Sequence, residues 1–336
     1  MKNGGKKRVS EESVLQRIAQ AARVNGRALA ECGIELGMGD DAAIWQPRKG
    51  FDTVLTTDWF LEGTHFWKDW HPADAVGWKC LMRAASDVAA MGGEPKCFLL
   101  SLALPASRTG KWMKNFLRGL IKASRKLQCP LAGGDTTRSD RILINVNVVG
   151  EVSRGRVVRR SGAKPGDGIF VSGRLGEAEL GLGLARQRWK KGAGSGNPLL
   201  SQHLYPEARV ELGQWLSERK LATAMIDVSD GLSSDLARLC EASKTGAQIE
   251  IERVPLAAGE FCRRFTDKER TRAALHGGDD YELLFCVANR DRRQVPRAFR
   301  GVKLTEIGRI TKNRTVELVD SSRKGVPLRP LGWDPF

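Results

Sequence analysis

Ile226-Asp227-Val228-Ser229-Asp230-Gly231-Leu232-Ser233-Ser234-Asp235-Leu236 joins two apolar runs of different period. Before it, Ala222 to Val228 reads as a strand. After it, Leu232, Leu236, Leu239 and Cys240 recur at helical spacing. Three aspartates and three serines fall within nine residues of this stretch. Carboxylates so dense repel one another and cost stability unless a cation neutralises them. The theme recurs in Gly39-Asp40-Asp41, Thr56-Thr57-Asp58, Ser86-Asp87, Gly133-Gly134-Asp135-Thr136-Thr137 and Gly277-Gly278-Asp279-Asp280. A chain with a net charge of +16 thus gathers aspartates at a few turns beside Gly, Ser or Thr. The distribution points to hard metal ions that hold phosphates.

Composition bounds the alternatives. A chain of 336 residues, 41% hydrophobic and 28% charged, suits a globular protein of two ordinary domains or one large one. Its seven cysteines are scattered and form no C-x-x-C, which argues for a reducing compartment and against structural zinc. The four histidines form no H-E-x-x-H. The N-terminus lacks the apolar core of a signal peptide, and no apolar run is long enough to span a bilayer. A cytoplasmic protein without a membrane partner is the expectation. Lys111, Lys114, Arg118, Lys122 and Arg125 form a basic stripe at helical spacing. Without interleaved aromatics it fits a solvated helix face better than a nucleic-acid surface.

Along the chain, residues 1–9 read as a disordered basic tail and Ser10 as an N-cap. Val14, Leu15, Ile18 and Ala22 then form an apolar stripe. Strands are expected at 53–58, 97–104, 142–149, 169–172, 248–251, 281–288 and 305–310. Helices are expected from Pro72 to Gly92, at 109–127 and 177–190, and from Pro206 to Arg219. Residues 133–139 read as an acidic turn and 191–197 as a flexible loop. Both halves mix strands and helices without a strict βαβ rhythm, so the expected class is α+β. A shift toward Arg, Ser, Gly and Pro around 151–165 places a domain junction there, giving domains 1–152 and 153–336.

Neither G-x-x-x-x-G-K-[ST] nor G-x-G-x-x-G is present, so a nucleotide must be held another way. The aspartates offer one. Mg²⁺ prefers oxygen ligands and bridges one or two carboxylates to substrate phosphates. Asp keeps such a metal close to the backbone, Gly lets the backbone approach, and Ser or Thr adds neutral oxygens. Asp41, Thr56, Thr57, Asp58, Asp87, Asp135, Asp227 and Asp230 are the candidate metal ligands. Any one cluster alone is an ordinary cap or turn; six in one chain are not.

The acidic clusters above also resemble the motifs of the thiamine-monophosphate kinase family, in family order. Glu62-Gly63-Thr64-His65-Phe66, Ser86-Asp87-Val88-Ala89-Ala90-Met91-Gly92, Arg160-Ser161-Gly162-Ala163-Lys164-Pro165-Gly166-Asp167 and Gly332-Trp333-Asp334-Pro335-Phe336 extend the match from about residue 37 to the end. The resemblance implies a two-domain aminoimidazole ribonucleotide synthetase-like fold. Its N-terminal domain would bind ATP and Mg²⁺ and form a homodimer through its sheet; its C-terminal domain would be α+β. It implies transfer of a phosphoryl group from ATP to thiamine phosphate, assisted by several Mg²⁺ ions, with no catalytic general base. Gly134, Arg160 and Ser229 are the implied ATP contacts, and His65, Asp279 and Trp333 the implied thiamine phosphate contacts. Asp279 stands where the family commonly has Glu, and Trp59 and Phe60 where it has small aliphatic residues. The alternatives are another ATP-dependent synthetase of the superfamily, such as a selenophosphate synthetase, or a basic nucleic-acid-binding protein.

Overall fold

Ser10 accepts the Ser13 amide at 3.3 Å and starts α1 (Glu11–Ala21), as its N-cap position predicts. The computed structural model describes residues 10–23, 26–38, 40–189, 197–320 and 325–335. The expected disordered tail, Gly39, Phe336 and residues 191–196 of the expected flexible loop lie outside the described residues. The elements that follow are α2 (Gly26–Glu31), β1 (Ile34–Leu36), β2 (Ile44–Trp45), β3 (Phe51–Leu61), α3 (Ala73–Ala90), β4 (Glu94–Leu104), α4 (Lys111–Leu127), β5 (Leu131–Arg138) and β6 (Leu143–Ser153). Then come β7 (Gly168–Ser172), α5 (Glu177–Trp189), α6 (Pro198–Leu204), α7 (Val210–Glu218), β8 (Ala222–Val228), α8 (Leu232–Ser243) and β9 (Gly246–Glu250). The chain finishes with α9 (Asp267–His276), β10 (Glu282–Val287), β11 (Ala298–Phe299), β12 (Val302–Thr311), β13 (Val316–Val319) and β14 (Gly325–Pro327). The class is α+β.

Two compact units emerge. One comprises Met1–Arg48, Leu55–Ala84 and Pro95–Val149; the other comprises Lys49–Val54, Ala85–Glu94 and Gly150–Phe336. The first is built on a four-stranded sheet in the order β3-β6-β4-β5, in which β4 and β5 run parallel. The expected acidic turn at 133–139 is therefore wrong: it is strand β5, with Leu99 opposite Gly133 and Ser101 opposite Asp135. Pairing with β4 overrides the low strand propensity of Gly and Asp. Leu15, expected in the apolar stripe of α1, is 43% exposed, whereas Val14, Ile18 and Ala22 are buried.

Helix α4 buries Met113, Phe116, Leu117, Leu120 and Ala123, and its basic stripe is exposed. Lys122 lies 5.5 Å from the Trp78 ring centroid and Arg118 3.8 Å from Asp74. With Arg17 the stripe lines a groove of about 940 Å³, which none of the candidate site residues lines.

The second unit holds an eight-stranded sheet, β14-β13-β9-β12-β7-β10-β8, with β11 paired to β12. All its pairs are antiparallel except β13 with β9. Strands β7, β8 and β10 are covered on both faces, which explains their unbroken apolar runs. Ile169, Val171, Ile226, Val228 and Leu284 pack on one face with Leu232, Leu236 and Leu239 of α8. Phe170, Met225, Leu283 and Phe285 pack on the other with Leu212 and Leu216 of α7. Helix α7 starts at Val210 and not at Pro206. Helix α9 opens with a capping box in which Thr266 and Glu269 each accept the other's amide.

Candidate active site

The stretch that opened the sequence analysis is strand β8, a tight turn and the first turns of α8. Asp235, inside the helix, accepts the amides of Ser229, Asp230 and Gly231 at 3.1, 3.0 and 3.1 Å through one carboxylate oxygen. Its other oxygen accepts Arg238 Nη1 at 2.7 Å. Arg238 also reaches Asp230 at 2.5 Å. Burial and the neighbouring Asp230 charge push Asp235 up to about 6, against these donors. Three main-chain donors converging on one oxygen fix the turn's shape.

Two other segments hang from this turn by main-chain bonds. Asp279 N donates to Ser229 O and Tyr281 N to Val228 O, each at 2.8 Å. Trp333 N donates to Asp230 O at 2.9 Å, and Gly332 N to Ser234 Oγ at 3.1 Å. A Cβ on Gly332 would stand 2.0 Å from Asp230 O, so only glycine lets the tail approach so closely. The turn thus gathers Ser229, Asp230, Asp279 and Trp333. Trp333 is 45% exposed.

Asp227 sits at the end of β8 on the face of Met225 and is 3% exposed. Ser86 Oγ donates to its Oδ2 at 2.7 Å. Burial first, and then the neighbouring Asp87 charge, push its carboxyl up to about 8, against the Ser86 bond. Arg160, exposed, pulls the other way. Its segment is fastened by Ser243 Oγ, which donates to Arg160 O at 2.9 Å and accepts the amides of Gly162 and Ala163.

The other unit carries the remaining candidates. Asp58 accepts Arg83 Nε and Nη2, both at 2.9 Å, in a two-pronged pair. Strand alternation divides the Thr56-Thr57-Asp58 cluster. Thr57 accepts Asn145 Nδ2 at 2.9 Å, so its side chain lies on the face of exposed Leu55 and Trp59, opposite to Asp58. Thr56 shares the Asp58 face. Asp135 and Gly134 are exposed on β5; a Cβ on Gly134 would meet Leu100 O at 2.0 Å. Asp41 is exposed, its amide held by Asp40 Oδ1 at 2.8 Å. His65 Nδ1 accepts the Leu61 amide at 3.1 Å, leaving Nε2 as the donor. The ring lies 5.8 Å from that of Phe60, which is buried and stacks on Phe66 at 5.0 Å.

Among the described residues no three His, Cys, Asp or Glu side chains form one group that could hold a metal ion by themselves. A hard cation here would complete its shell with hydroxyl, main-chain and substrate phosphate oxygens, as Mg²⁺ commonly does. The Asp227–Asp87 pair fits such an ion, because burial and the neighbouring Asp87 charge both act against the ionised Asp227 carboxylate, and a cation would relieve both. The residues missed in the sequence are the supports Arg83 and Arg238, and for Ser86 and Asp235 it is the supporting role that was missed. Only Arg238 had a local signal, its i,i+3 spacing from Asp235. None of the seven cysteines forms a disulfide. Burial pushes Cys97 up to about 12 and Cys240 up to about 11, which suits packing and not nucleophilic chemistry. Among the described residues no helix is long and apolar enough to cross a membrane.

Residues 39–152 match the family described as "AIR synthase related protein, N-terminal domain", and residues 164–321 match "AIR synthase related protein, C-terminal domain". That defines the class. A hydrogenase maturation protein HypE in complex with ATP shares the fold, with a TM-score of 0.75 at 17% identity. The chain belongs to the thiamine-monophosphate kinase family. It is 37% identical over 306 residues to the thiamine-monophosphate kinase of Escherichia coli K12, covering 90% of this chain and 91% of that one. For the Bacillus subtilis protein the identity is 31% over 319 residues, covering 93% and 97%. The crystal structure of thiamine-monophosphate kinase from Stenotrophomonas maltophilia K279a superposes with a TM-score of 0.80 at 34% identity, covering 92% of this chain and 96% of that one. A structure described as AaThiL complexed with AMPPCP and TMP gives a TM-score of 0.75 at 32% identity, covering 97% of each chain.

Proposed function

We propose that this chain is an ATP-dependent kinase that converts thiamine phosphate and ATP into thiamine diphosphate and ADP. The observation that carries the proposal is the β8–α8 turn, which fastens an acidic loop and an exposed tryptophan beside Asp227 and Asp230. The nucleophile is a phosphate oxygen, anionic at neutral pH, so no general base is needed. The obstacle is repulsion between two polyanions, several kcal/mol per charge pair at a moderate dielectric of about 20. Positioning and charge neutralisation are what phosphoryl transfer asks of a protein.

Asp41, Thr56, Thr57, Asp58, Asp87, Asp135, Asp227 and Asp230 would hold Mg²⁺. When bound, Mg²⁺ neutralises the phosphate oxygens. Gly134, Arg160 and Ser229 serve ATP, and His65, Asp279 and Trp333 serve thiamine phosphate. Trp333 presents an indole face to the cationic thiazolium, an attraction of about 0.5–2 kcal/mol. Trp333→Ala is accordingly expected to raise the KM for thiamine phosphate several-fold with kcat nearly unchanged, read by steady-state kinetics. A fall in kcat at constant KM would reassign the residue.

The same proposal includes a homodimer formed through the four-stranded sheet and a cytoplasmic location. Leu55, Trp59 and Leu99 are 73%, 54% and 37% exposed, an unusual load of large apolar side chains for one sheet. The candidates on β3 and β5 stand at opposite edges of that sheet, three strand spacings or about 14 Å apart. A second sheet is a natural cover for such a face. Trp59→Asp is expected to halve the mass in analytical ultracentrifugation and remove most activity; an unchanged mass rejects this interface.

The deciding experiment is a chromatographic assay with ATP, Mg²⁺ and thiamine phosphate. Thiamine diphosphate with stoichiometric ADP, formed from thiamine phosphate and not from thiamine, supports the proposal. Mg²⁺-dependent ATP binding without that product keeps the superfamily and rejects the substrate.

A further inference from the structure

The loop between α9 and β10 places two residues that are not glycine in left-handed backbone: Asp279 at φ +70° and Tyr281 at φ +51°. Such residues are strained and persist only where the surroundings enforce them. Here the enforcement is visible. The amides of Asp279 and Tyr281 are both bonded to the β8 turn. Between them, the half-buried carboxylate of Asp280 accepts the amides of Gly176 at 2.7 Å and Ala178 at 3.3 Å, fastening the loop to the start of α5. The outcome is local to one carboxylate. Tyr281, 2% exposed, donates its hydroxyl to Asp279 Oδ1 at 2.7 Å. His203 of α6, 1% exposed, places Nδ1 3.7 Å from Oδ2 of the same carboxylate. The Asp279 side chain itself is 27% exposed.

We propose that Tyr281 and His203 are positioning residues that hold the Asp279 carboxylate toward thiamine phosphate. This rests on Asp279 being a substrate contact. A free aspartate turns about two side-chain torsions, and its carboxylate torsion is broad. A buried phenol bonded to one oxygen, with an imidazole beside the other, stops that rotation. A neutral phenol donor leaves the carboxylate its charge. The carboxylate is then aimed before the ligand arrives, and its charge suits the cationic ring system and amino group of thiamine phosphate. Preorganisation of this kind lowers the ordering cost of binding and leaves the chemical step alone.

A double-mutant cycle tests it in the full-length enzyme. Tyr281→Phe removes one hydroxyl and keeps the ring in its buried slot. It is expected to raise the KM for thiamine phosphate about five- to tenfold, the net worth of one hydrogen bond. The kcat, the KM for ATP and the melting temperature are expected to stay near wild type. Asp279→Ala is expected to raise the same KM at least as much. Tyr281→Phe or His203→Gln should then add nothing in the Asp279→Ala background. A full additional effect there overturns the proposal, as does a fall in kcat or an equal rise in both KM values, since either marks a merely structural role. If Asp279→Ala raises KM and Tyr281→Phe does not, the positioning role alone is lost. If Asp279→Ala changes nothing, the substrate contact fails and the positioning role with it.

Discussion

Replacing Asp230 with asparagine is expected to lower kcat about a thousandfold while leaving the fold intact. The size follows from removing a preorganised charge from a phosphoryl-transfer site, where single groups carry a factor of 10²–10³ or more. The stability forecast follows from the contacts. Asp230 is held through its main chain, whose carbonyl accepts Trp333 N, and asparagine retains that bond. Its carboxylate partner Arg238 keeps the second carboxylate of Asp235 at 2.7 Å. No charge is stranded, and the change in stability should stay within about 0.5 kcal/mol. Asp58 is a poorer choice for this test. Its carboxylate is the two-pronged partner of Arg83, which is 15% exposed, so Asp58→Asn confounds metal loss with an unpaired guanidinium. Steady-state rates across a Mg²⁺ titration decide the matter. Wild-type turnover by Asp230→Asn would remove Asp230 from the metal set.

The second large effect has opposite signs in activity and stability. Asp227 is buried beside Asp87 and its carboxyl is pushed up to about 8. A carboxyl whose folded pKa lies above its unfolded value of 3.8 contributes stability that is fully present below about pH 4. That contribution is lost as pH rises through about 8, at no more than about 1.4 kcal/mol per pH unit. The Mg²⁺-free protein is therefore expected to melt at lower temperature at pH 8 than at pH 6. Asp227→Asn keeps the shape and cannot ionise, so it should flatten that slope and be the more stable protein at pH 8. The same substitution should cost at least a hundredfold in kcat. Adding Mg²⁺ at pH 8 should raise the melting temperature of the wild type and not of the variant. Parallel pH slopes for the two proteins would place the strain elsewhere.

The extent to which the site was legible differs from residue to residue. Asp227, Ser229 and Asp230 were visible because strand, turn and helix signals meet within eleven residues, and period alone reveals that boundary. Asp279 and Trp333 were singled out through family motifs, and their closeness to the turn could not be read from spacing. That closeness is made by main-chain bonds from Ser229 and Asp230 to residues about 50 and 100 positions away, and main-chain donors leave no compositional trace. Ser86 was noticed beside Asp87, yet its bond to Asp227 spans 141 residues. Thr57 shows the converse: it sits within a visible cluster, but the pleat turns its side chain away from Asp58.

By itself the sequence determined the α+β class, the main helices and the fully apolar strands, because periodicity, capping and apolar runs are local properties. It also singled out the clustered carboxylates as candidates, because their crowding beside Gly, Ser and Thr is a local property. Only the tertiary structure decided that 133–138 is a strand, that Thr57 points away and that Asp227 is buried. It alone decided which partner each carboxylate takes: Arg83 for Asp58, Arg238 for Asp230 and Tyr281 for Asp279. The physical reason is range. Propensity acts over a few residues, whereas burial, charge pairing and sheet register depend on what the rest of the chain brings alongside.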